Sequence, residues 1–577
     1  MIRDGWLDPG TCAVRLAPFE ELTRLLTSAG PSLDSLAAQL SQALGAAGVP
    51  TGPANEIRRL ATWAREAGAD LRRRNQLVHD LDRQRLAFEV CRPDGIFVRL
   101  PDRYSDQLAE SQGREAARLL RESASGDPQA LRALCTMSRE AASPYFAYGL
   151  LTTLGPSNVV GLPLLLAESL KAAQNRFSSD AGELADLTRS ALSILGTALA
   201  VGTQPQSPLA GPLIPVPAYA GDDFVSGLRD ACRDRFAVAL VGYQGLSALL
   251  AASAQPFSAH FMSVVGRDMI SYDQAIAPSL PGTPLPSLAS VYDLGSALGP
   301  SAARTDFLVP LLRAAARSTQ AAQALLDPPS LVYLLHTRRP VWGLSDQGAA
   351  LGRALNAAAA GPDPASHDVF DQALAVLGPD VLAHVKWVEG DKLALSEDDK
   401  DALDQFRAMR GPLGDLLISQ LGLIGKQLHS LDSNPGLRDR RQNLQAVLAD
   451  VLQDDGACQA LMRAQIAHTE LWLDEQYTKD NGQHLDPADL EREIGLLGRM
   501  IALRQEIMRG REDGTKDYNE GLKRDITGLI GDIPIPGAKS LGGLGGELLK
   551  QGKAYSLDQA GTWLAHQLGD DSEQHNT

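Results

Sequence analysis

The stretch NEIRRLATWAREAGADLRRRNQLVHDLDRQR, Asn55 to Arg85, carries the longest regular apolar pattern in the chain. Its apolar side chains recur at alternating spacings of three and four residues, with Arg74 as the one polar interruption: Ile57, Leu60, Ala64, Ala67, Leu71, Val78 and Leu81. Such spacing places the side chains along one face of an α-helix and is typical of a helix that packs on another helix. The stretch therefore predicts a long amphipathic helix with a helical partner.

A shorter apolar stripe lies upstream, in PSLDSLAAQLSQALGAAG from Pro31. Pro31 and Ser32 are typical of a helix start, and Leu33, Leu36, Leu40 and Leu44 share one face. The loop VPTGPAN, from Val49, separates this helix from the next one. The two stripes together predict an N-terminal antiparallel helical hairpin within residues 1–88.

We predict that this hairpin binds a protein partner or a second copy of the chain. The residues expected to face the partner are Ile57, Leu60, Trp63, Leu71, Arg72, Arg73, Arg74, Val78 and Leu81. The basic run Leu71 to Arg74 has two interpretations, a solvated helix face or part of the partner surface.

The remainder of the chain predicts an all-α fold, in which a multi-helix body follows the hairpin. VCRPDGIFVRLP, from Val90, combines a turn with branched and aromatic residues, so at most a short β-hairpin is expected near residues 90–100. Residues 202–223 carry five prolines and predict a linker. The predicted division is 1–88 hairpin, 89–201 helical block, 202–223 linker, 224–435 helical block, 436–566 long helices with a Gly/Pro segment, and 567–577 disordered tail.

The composition restricts the classes of partner. Hydrophobic residues make up 44% of the 577 residues and aromatic ones only 5%, so the core is expected to consist mainly of Leu, Ala and Val. The formal net charge of −16 argues against a surface that neutralises phosphates, because nucleic-acid binding depends on clustered Lys and Arg. No nucleic-acid partner is predicted.

The cysteines and the N-terminus indicate where the chain is made. Five cysteines lie far apart without CxxC spacing, as expected for thiols in a reducing compartment: Cys12, Cys91, Cys135, Cys232 and Cys458. The first residues, MIRDGWLDPG, are acidic and interrupted by proline where a secretory signal has a basic start and an apolar run. We expect synthesis in the cytoplasm and leave open export without a cleavable signal peptide.

Catalytic motifs are absent from the sequence. Between Gly531 and Ser540 the glycine and lysine spacing differs from that of a phosphate-binding loop, and two prolines remove backbone donors. Neither HExxH nor GxSxG occurs. We therefore predict a non-enzymatic protein without cofactor or metal; the alternative is an enzyme whose site is assembled from distant segments.

A membrane-active protein is a further alternative. Three apolar segments could contact lipid: Leu187 to Val201, Phe236 to Phe257, and Ile526 to Leu549. The second is free of charge over about the length that a bilayer requires, yet its glycines and serines favour a buried core helix over a membrane span. The sequence therefore leaves open whether the chain contacts a membrane.

Several segments together resemble one protein family. They are the hairpin Ser32 to Arg85 with its arginine run after Trp63, GYQGLSALL from Gly242, LVYLLHTRRPVWGLSDQGAALGRAL from Leu331, and the Gly-Pro segment near Pro534. In this combination the chain resembles an uncharacterised actinobacterial family of large helical proteins, similar to type VII (ESX) secretion substrates with a WXG-like N-terminal hairpin. The resemblance implies a helical interaction or scaffold protein that is associated with, or exported by, a type VII-like system. It departs from the WXG pattern at Trp63, which lies inside the second helix.

Overall fold

A computed structural model describes most of the chain. It covers residues 11–46, 52–83, 97–124, 127–176, 181–205, 219–237, 240–292, 294, 306–388, 392–394, 397–430 and 438–479, and the helical positions 496, 497, 500, 503, 504, 507 and 508. These residues are predominantly helical, so the predicted all-α class is confirmed. The chain forms two compact units, the first with Met1–Ser41 and Gly52–Ser330, the second with Gln42–Thr51 and Leu331–Thr577.

The helices are numbered in chain order. The first fifteen are α1 Leu16–Ala46, α2 Gly52–Arg83, α3 Asp102–Ala124, α4 Pro128–Cys135, α5 Pro144–Leu154, α6 Pro156–Asn175, α7 Ala181–Gly202, α8 Asp222–Cys232, α9 Gly242–Ala252, α10 Ala259–Phe261, α11 Arg267–Ile276, α12 Leu288–Val291, α13 Leu308–Ala315, α14 Thr319–Leu325 and α15 Pro328–Val332. The others are α16 Arg339–Trp342, α17 Ala349–Ala359, α18 Pro364–His384, α19 Glu397–Asp404, α20 Arg410–Ser419, α21 Leu421–Ser430, α22 Arg438–Val451 and α23 Asp455–Lys479. π-helical turns occupy Met262–Gly266 and Tyr333–Thr337.

Short strands form three antiparallel pairs within the described ranges: β1 Thr11–Arg15 with β2 Phe97–Pro101, β3 Arg235–Ala237 with β4 Leu240–Val241, and β5 Lys386–Val388 with β6 Lys392–Ala394. The extended segment predicted near residues 90–100 is present as β2, and its partner β1 is remote in sequence. Residues 84–96 lie outside the described residues. Because β1 leads into α1 and β2 leads into α3, this pair ties the base of the hairpin to the helix that follows it.

Glycines set the packing distances in the first unit. α3 packs on α5 where Gly113 faces the backbone of Phe146 and Gly149 faces the backbone of Glu110. α9 packs on α6 at Gly245, where a Cβ would lie only 2.0 Å from the carbonyl oxygen of Val160. Backbones in such contact leave little room for large side chains, which agrees with a core built from Leu, Ala and Val.

The proline-rich segment begins and ends in the first unit. α7 ends at Gly202 and α8 begins at Asp222, and the backbone N–H of Ala220 donates to the carbonyl oxygen of Gly202 at 2.8 Å. This bond brings the two ends of the segment together, although its residues 206–218 lie outside the described residues. The predicted linker therefore starts and finishes at one place on the first unit.

The second unit packs α17 on α18 and α20, α18 on α22, and α20 on α23. Its core holds a buried ion pair, in which Nε and Nη2 of Arg410 donate to Oδ1 of Asp450 at 3.1 and 3.0 Å. The predicted segment 436–566 is described only through residue 479 and at seven later positions. The tail 567–577 and the Gly/Pro segment lie outside the described residues.

The C-terminal ends of several helices are capped by arginines that lie outside those helices but in the same unit. The last carbonyl groups of a helix have no partner within the helix, and the helix dipole makes this end attractive to a cation. The guanidinium donors and their acceptors are Arg121 with Thr153, Arg267 with Ala324, Arg317 with Ser253, Arg339 with Ala402, Arg410 with Leu403 and Arg504 with Leu452. These bonds link the short helices by charged hydrogen bonds that local sequence patterns do not reveal.

Asp268 gives the first unit an acid-sensitive contact. Its carboxylate accepts hydrogen bonds from Arg233 at 2.9 and 2.6 Å and from the hydroxyl of Tyr243. Burial acts to raise the pKa of Asp268, but the hydrogen bonds from Arg233 and Tyr243 outweigh burial and lower the pKa below its usual value.

We predict that Asp268 stabilises the fold at neutral pH. A carboxyl whose pKa is lowered by folding contributes stability that is lost as the pH falls through its folded pKa, below about pH 4. Asp268→Asn should lower the free energy of unfolding at pH 7, and the difference from wild type should shrink in acid. Urea unfolding of wild type and variant at pH 7 and below about pH 4 measures the difference in the free energy of unfolding. A difference that does not change with pH would contradict the prediction.

Candidate functional site

The predicted hairpin is present, and polar contacts fix α1 and α2 as antiparallel. Nε2 of His79 lies 2.8 Å from Oε1 of Glu20, Nη1 of Arg65 donates to Oδ2 of Asp34 at 2.5 Å, and Nη2 of Arg58 donates to Oγ of Ser41 at 2.9 Å. In these three contacts the residue number rises along α1 while that of the partner residue falls along α2. Only an antiparallel pair of helices has this order of contacts.

The first helix of the hairpin is longer than predicted. Pro31 and Ser32 were expected at its start, whereas α1 begins at Leu16 and continues through Pro31. The hydroxyl of Ser32 donates to the carbonyl oxygen of Ser28 at 2.9 Å and satisfies one backbone acceptor in this turn. Proline inside a helix removes one backbone hydrogen bond but does not force an end where the neighbouring turns are held.

Small residues fill the seam between the two helices. Ala37, Ala54 and Ala61 are fully buried, and Gly68 lies against the backbone of Thr27. A seam of alanine and glycine brings the helix axes close but buries little apolar area for each residue. Four leucines of the two helices lie outside the seam and are about half exposed: Leu22, Leu25, Leu36 and Leu60.

Of the predicted apolar stripe of α2, Ala64 is buried, but Leu60 and Ala67 are displaced by one residue from this seam. Leu60 and Ala67 directly precede the seam positions Ala61 and Gly68, and one residue is a turn of about 100°. On α1, Leu22 and Leu36 likewise precede Thr23 and Ala37, which are buried. In an antiparallel helix pair, the positions before the seam on both helices fall on the same side of the pair.

The two helices therefore share one apolar surface, which we call the hairpin face: Leu22, Leu25, Leu33, Leu36 and Leu40 of α1 with Ile57, Leu60 and Leu71 of α2. About half of each of the side chains Leu22, Leu25, Leu36 and Leu60 is accessible to solvent. Trp63 is 52% exposed and lies at the rim. Exposed apolar patches of this kind mark interaction sites more often than single exposed leucines do.

The other predicted partner-facing residues also lie on α2. Ile57, Leu71, Arg72 and Arg74 are half-buried. Arg73, Val78 and Leu81 fall on the helix, but their side chains lie outside the described ones. The leucines of α1 complete the surface, and Leu22 and Leu25 were not predicted because the helix was expected to begin only at Pro31.

The two helices carry opposite net charge. α1 has three carboxylates and one arginine, a net charge of −2, whereas α2 has seven arginines and five carboxylates, a net charge of +2. Arg24 pairs with Glu21 and Arg59 pairs with Glu56 within their own helices. The two helices that carry the hairpin face therefore differ in net charge by four units.

The described part of the chain holds three free cysteines. It contains no group of three His, Cys, Asp or Glu side chains that could hold a metal ion. Cys232 and Cys458 are buried, and burial raises the pKa of both thiols, which keeps them in the unreactive protonated form. Cys135 is half-buried and its pKa is raised by the same cause.

One helix in the described ranges, α7, is long and apolar enough to cross a membrane, and the bent pair α5 and α6 would count as a second candidate. Two thirds of the most apolar part of α7 is buried inside the protein, as in the core helix of a soluble domain. The predicted segment Phe236 to Phe257 contains the buried helix α9, which is only 11 residues long. Residues 526–549 lie outside the described residues.

Comparison of the chain with protein-family models and with curated proteins finds no match.

Proposed function

We propose that the chain is a non-enzymatic helical interaction protein that docks through the hairpin face onto a second helical hairpin. The observation that carries the proposal is the row of half-exposed leucines, Leu22, Leu25, Leu36 and Leu60, on one side of an alanine and glycine seam. A helix pair that leaves these leucines half exposed gains their remaining apolar burial only when another helix covers them.

A second copy of this chain is the partner that best fits the hairpin face. α1 and α2 have nearly equal lengths, 31 and 32 residues, and net charges of −2 and +2. A symmetric pair that places α1 of one copy on α2 of the other brings opposite charges together at both rims. The leucines would then form the centre of a four-helix arrangement.

Association with a type VII-like secretion system is a further part of the proposal. It is supported by the resemblance of the hairpin and body segments, since such substrates carry an N-terminal helical hairpin. Co-purification of the full chain with the secretion ATPase of a type VII system would support this part. Export that is unchanged when such a system is deleted would refute the association with secretion. This outcome would not bear on self-association, which has its own test.

The proposal predicts that a charge in the hairpin face weakens self-association. Leu36→Glu should raise the dissociation constant at least tenfold, because it removes about 1 kcal/mol or more of apolar burial in each copy and buries a carboxylate. Leu36 is half exposed in the single chain, so the fold should remain intact. Sedimentation equilibrium of the full chain measures the constant, and circular dichroism checks the helix content.

Ser35→Glu is the matched control, because it introduces the same charge on the same helix at an exposed position next to Leu36. This variant should associate like the wild type. A wild-type chain that stays monomeric at every concentration reached would refute self-association. Equal weakening by both variants would show that charge on α1, not the hairpin face, controls association.

Contact with a membrane is a second candidate function. α7 favours it by its length and apolar character, but its burial means that the first unit must open before α7 reaches lipid. Flotation of the full chain with liposomes tests this candidate. A chain that never floats with lipid, including under partly unfolding conditions, would eliminate it.

A further inference from the structure

A carboxylate of α18 lies beside both a surface histidine and a buried arginine. Nδ1 of His336, in the π-helical turn Tyr333–Thr337, lies 2.6 Å from Oδ1 of Asp380. The other carboxylate oxygen, Oδ2, lies 4.0 Å from Nη1 of Arg339, the first residue of α16. The side chain of His336 is 63% exposed, whereas those of Asp380 and Arg339 are 14% and 7% exposed. The second unit thus holds a carboxylate within reach of two basic groups, of which only the histidine titrates near neutral pH.

The buried side of this group is poorly satisfied. Nε and Nη1 of Arg339 and Oδ2 of Asp380 are buried, and none of the three atoms has a hydrogen-bond partner among the described residues. Nη2 of Arg339 donates to the carbonyl oxygen of Ala402 at 3.2 Å, and its guanidinium lies over the ring of Phe406. Burial lowers the pKa of Arg339. A buried cation and a buried carboxylate oxygen that face each other without a hydrogen bond are costly, because each has given up water.

A small movement of Asp380 would satisfy both buried atoms. Closing the 4.0 Å gap to the normal length of an N–H···O bond, about 2.9 Å, takes a shift of about 1 Å. Oδ1 and Oδ2 belong to one rigid carboxylate, so the same movement changes the bond from Oδ1 to His336. The carboxylate therefore has two alternative partners, and in this structure the bond to His336 is the one that is made.

We propose that Asp380 is a pH-dependent latch of the second unit, which pairs with His336 when this histidine is protonated and with Arg339 when it is neutral. An imidazolium adds coulombic attraction to its hydrogen bond with a carboxylate, whereas a neutral imidazole offers the hydrogen bond alone. Arginine stays charged throughout, so only the histidine side of the balance changes, between about pH 5 and 8. At the higher pH the π-helical turn loses this tie to α18.

The charged groups near the latch on the neighbouring elements have partners of their own. They are Arg410 of α20 with Asp450 of α22 and Asp404 of α19, His384 of α18 with Asp399 of α19, and Arg338 against the ring of Trp342. The charges of Asp450 and Arg410 act on Arg339 in opposite senses. Asp380 is therefore the carboxylate that is left to respond when His336 titrates.

Double-mutant cycles on the full chain test the latch. Asp380→Asn is combined with His336→Gln and, separately, with Arg339→Gln, and urea unfolding of the second unit gives each coupling at about pH 5.5 and about pH 8. The coupling of Asp380 with His336 should be lost at the higher pH, while its coupling with Arg339 should rise at least about twofold. A coupling with Arg339 that is equal at both pH values would overturn the latch and show a fixed histidine–carboxylate pair.

Hydrogen exchange of the wild-type chain tests the latch without a change at the buried arginine. After correction for the chemical exchange rate, the amides of Tyr333–Thr337 should be at least about threefold less protected at the higher pH, and His336→Gln should abolish the difference. His384→Gln is the matched control, because His384 also pairs with a carboxylate of this unit, at 3.2 Å. Protection that does not depend on pH in the wild type, or a pH dependence that disappears in His384→Gln, would contradict the proposal.

Discussion

Gly245→Ala is expected to destabilise the first unit by about 3 kcal/mol, although alanine normally stabilises a helix relative to glycine by up to about 1 kcal/mol. The added Cβ would lie 2.0 Å from the carbonyl oxygen of Val160 and 3.1 Å from its carbonyl carbon. These are backbone atoms, so relief requires α6 and α9 to separate. Both helices belong to the core of the unit, and the whole unit should lose stability.

Gly182→Ala is the control for this prediction. Gly182 lies in α7, and an added Cβ there meets no atom within 4 Å. The substitution should be neutral or slightly stabilising. Scanning calorimetry of the full chain measures both variants; a Gly245→Ala chain with an unchanged thermal midpoint would show that α6 and α9 do not approach as closely as described.

Arg410→Met is expected to destabilise the second unit by about 3 to 5 kcal/mol, because it leaves the carboxylate of Asp450 buried without its partner. The Arg410 side chain is 3% exposed and that of Asp450 is 7% exposed. Arg410 also donates to the carbonyl oxygen of Leu403, so the same change removes one of the two arginine caps of α19 and leaves that of Arg339. Urea unfolding, monitored by circular dichroism, measures the loss.

The double variant Arg410→Met with Asp450→Leu distinguishes the ion pair from simple packing. Replacing both charges by apolar groups of similar size removes the unpaired carboxylate and should recover most of the lost stability. A double variant that is less stable than Arg410→Met alone would contradict the ion pair as the cause. Arg407→Met is the comparison, because Arg407 is exposed and lies three residues before Arg410.

The sequence predicted the helical hairpin and the residues of its apolar stripe, because a period of three and four residues depends only on helix geometry. It did not predict which side of α2 faces α1. Leucine stripes normally pack on each other, whereas here Ala61 and Gly68 form the contact and Leu60 lies outside it. Which side of α2 faces α1 depends on how closely the two helix backbones approach. That distance is a property of both helices together and cannot be read from either one alone.

The polar contacts were likewise inaccessible to sequence reasoning. Arg410 and Asp450 are 40 residues apart, and Arg317 and Ser253 are 64 residues apart. No local pattern marks an arginine that caps a remote helix, since the same residue type also occupies solvated helix faces.

By itself the sequence determined the all-α class, the hairpin and its apolar stripe, since these follow from periodicity and from the conformational limits of glycine and proline. Tertiary structure alone decided that glycine and alanine form close helix contacts, that arginines cap helix ends, and that Leu22, Leu25, Leu36 and Leu60 of the hairpin remain about half exposed. The physical reason is that periodicity constrains one helix at a time. Which side chains are buried depends on how the helices pack on one another. Backbone distance and charge pairing select one of the several packing arrangements that the sequence permits.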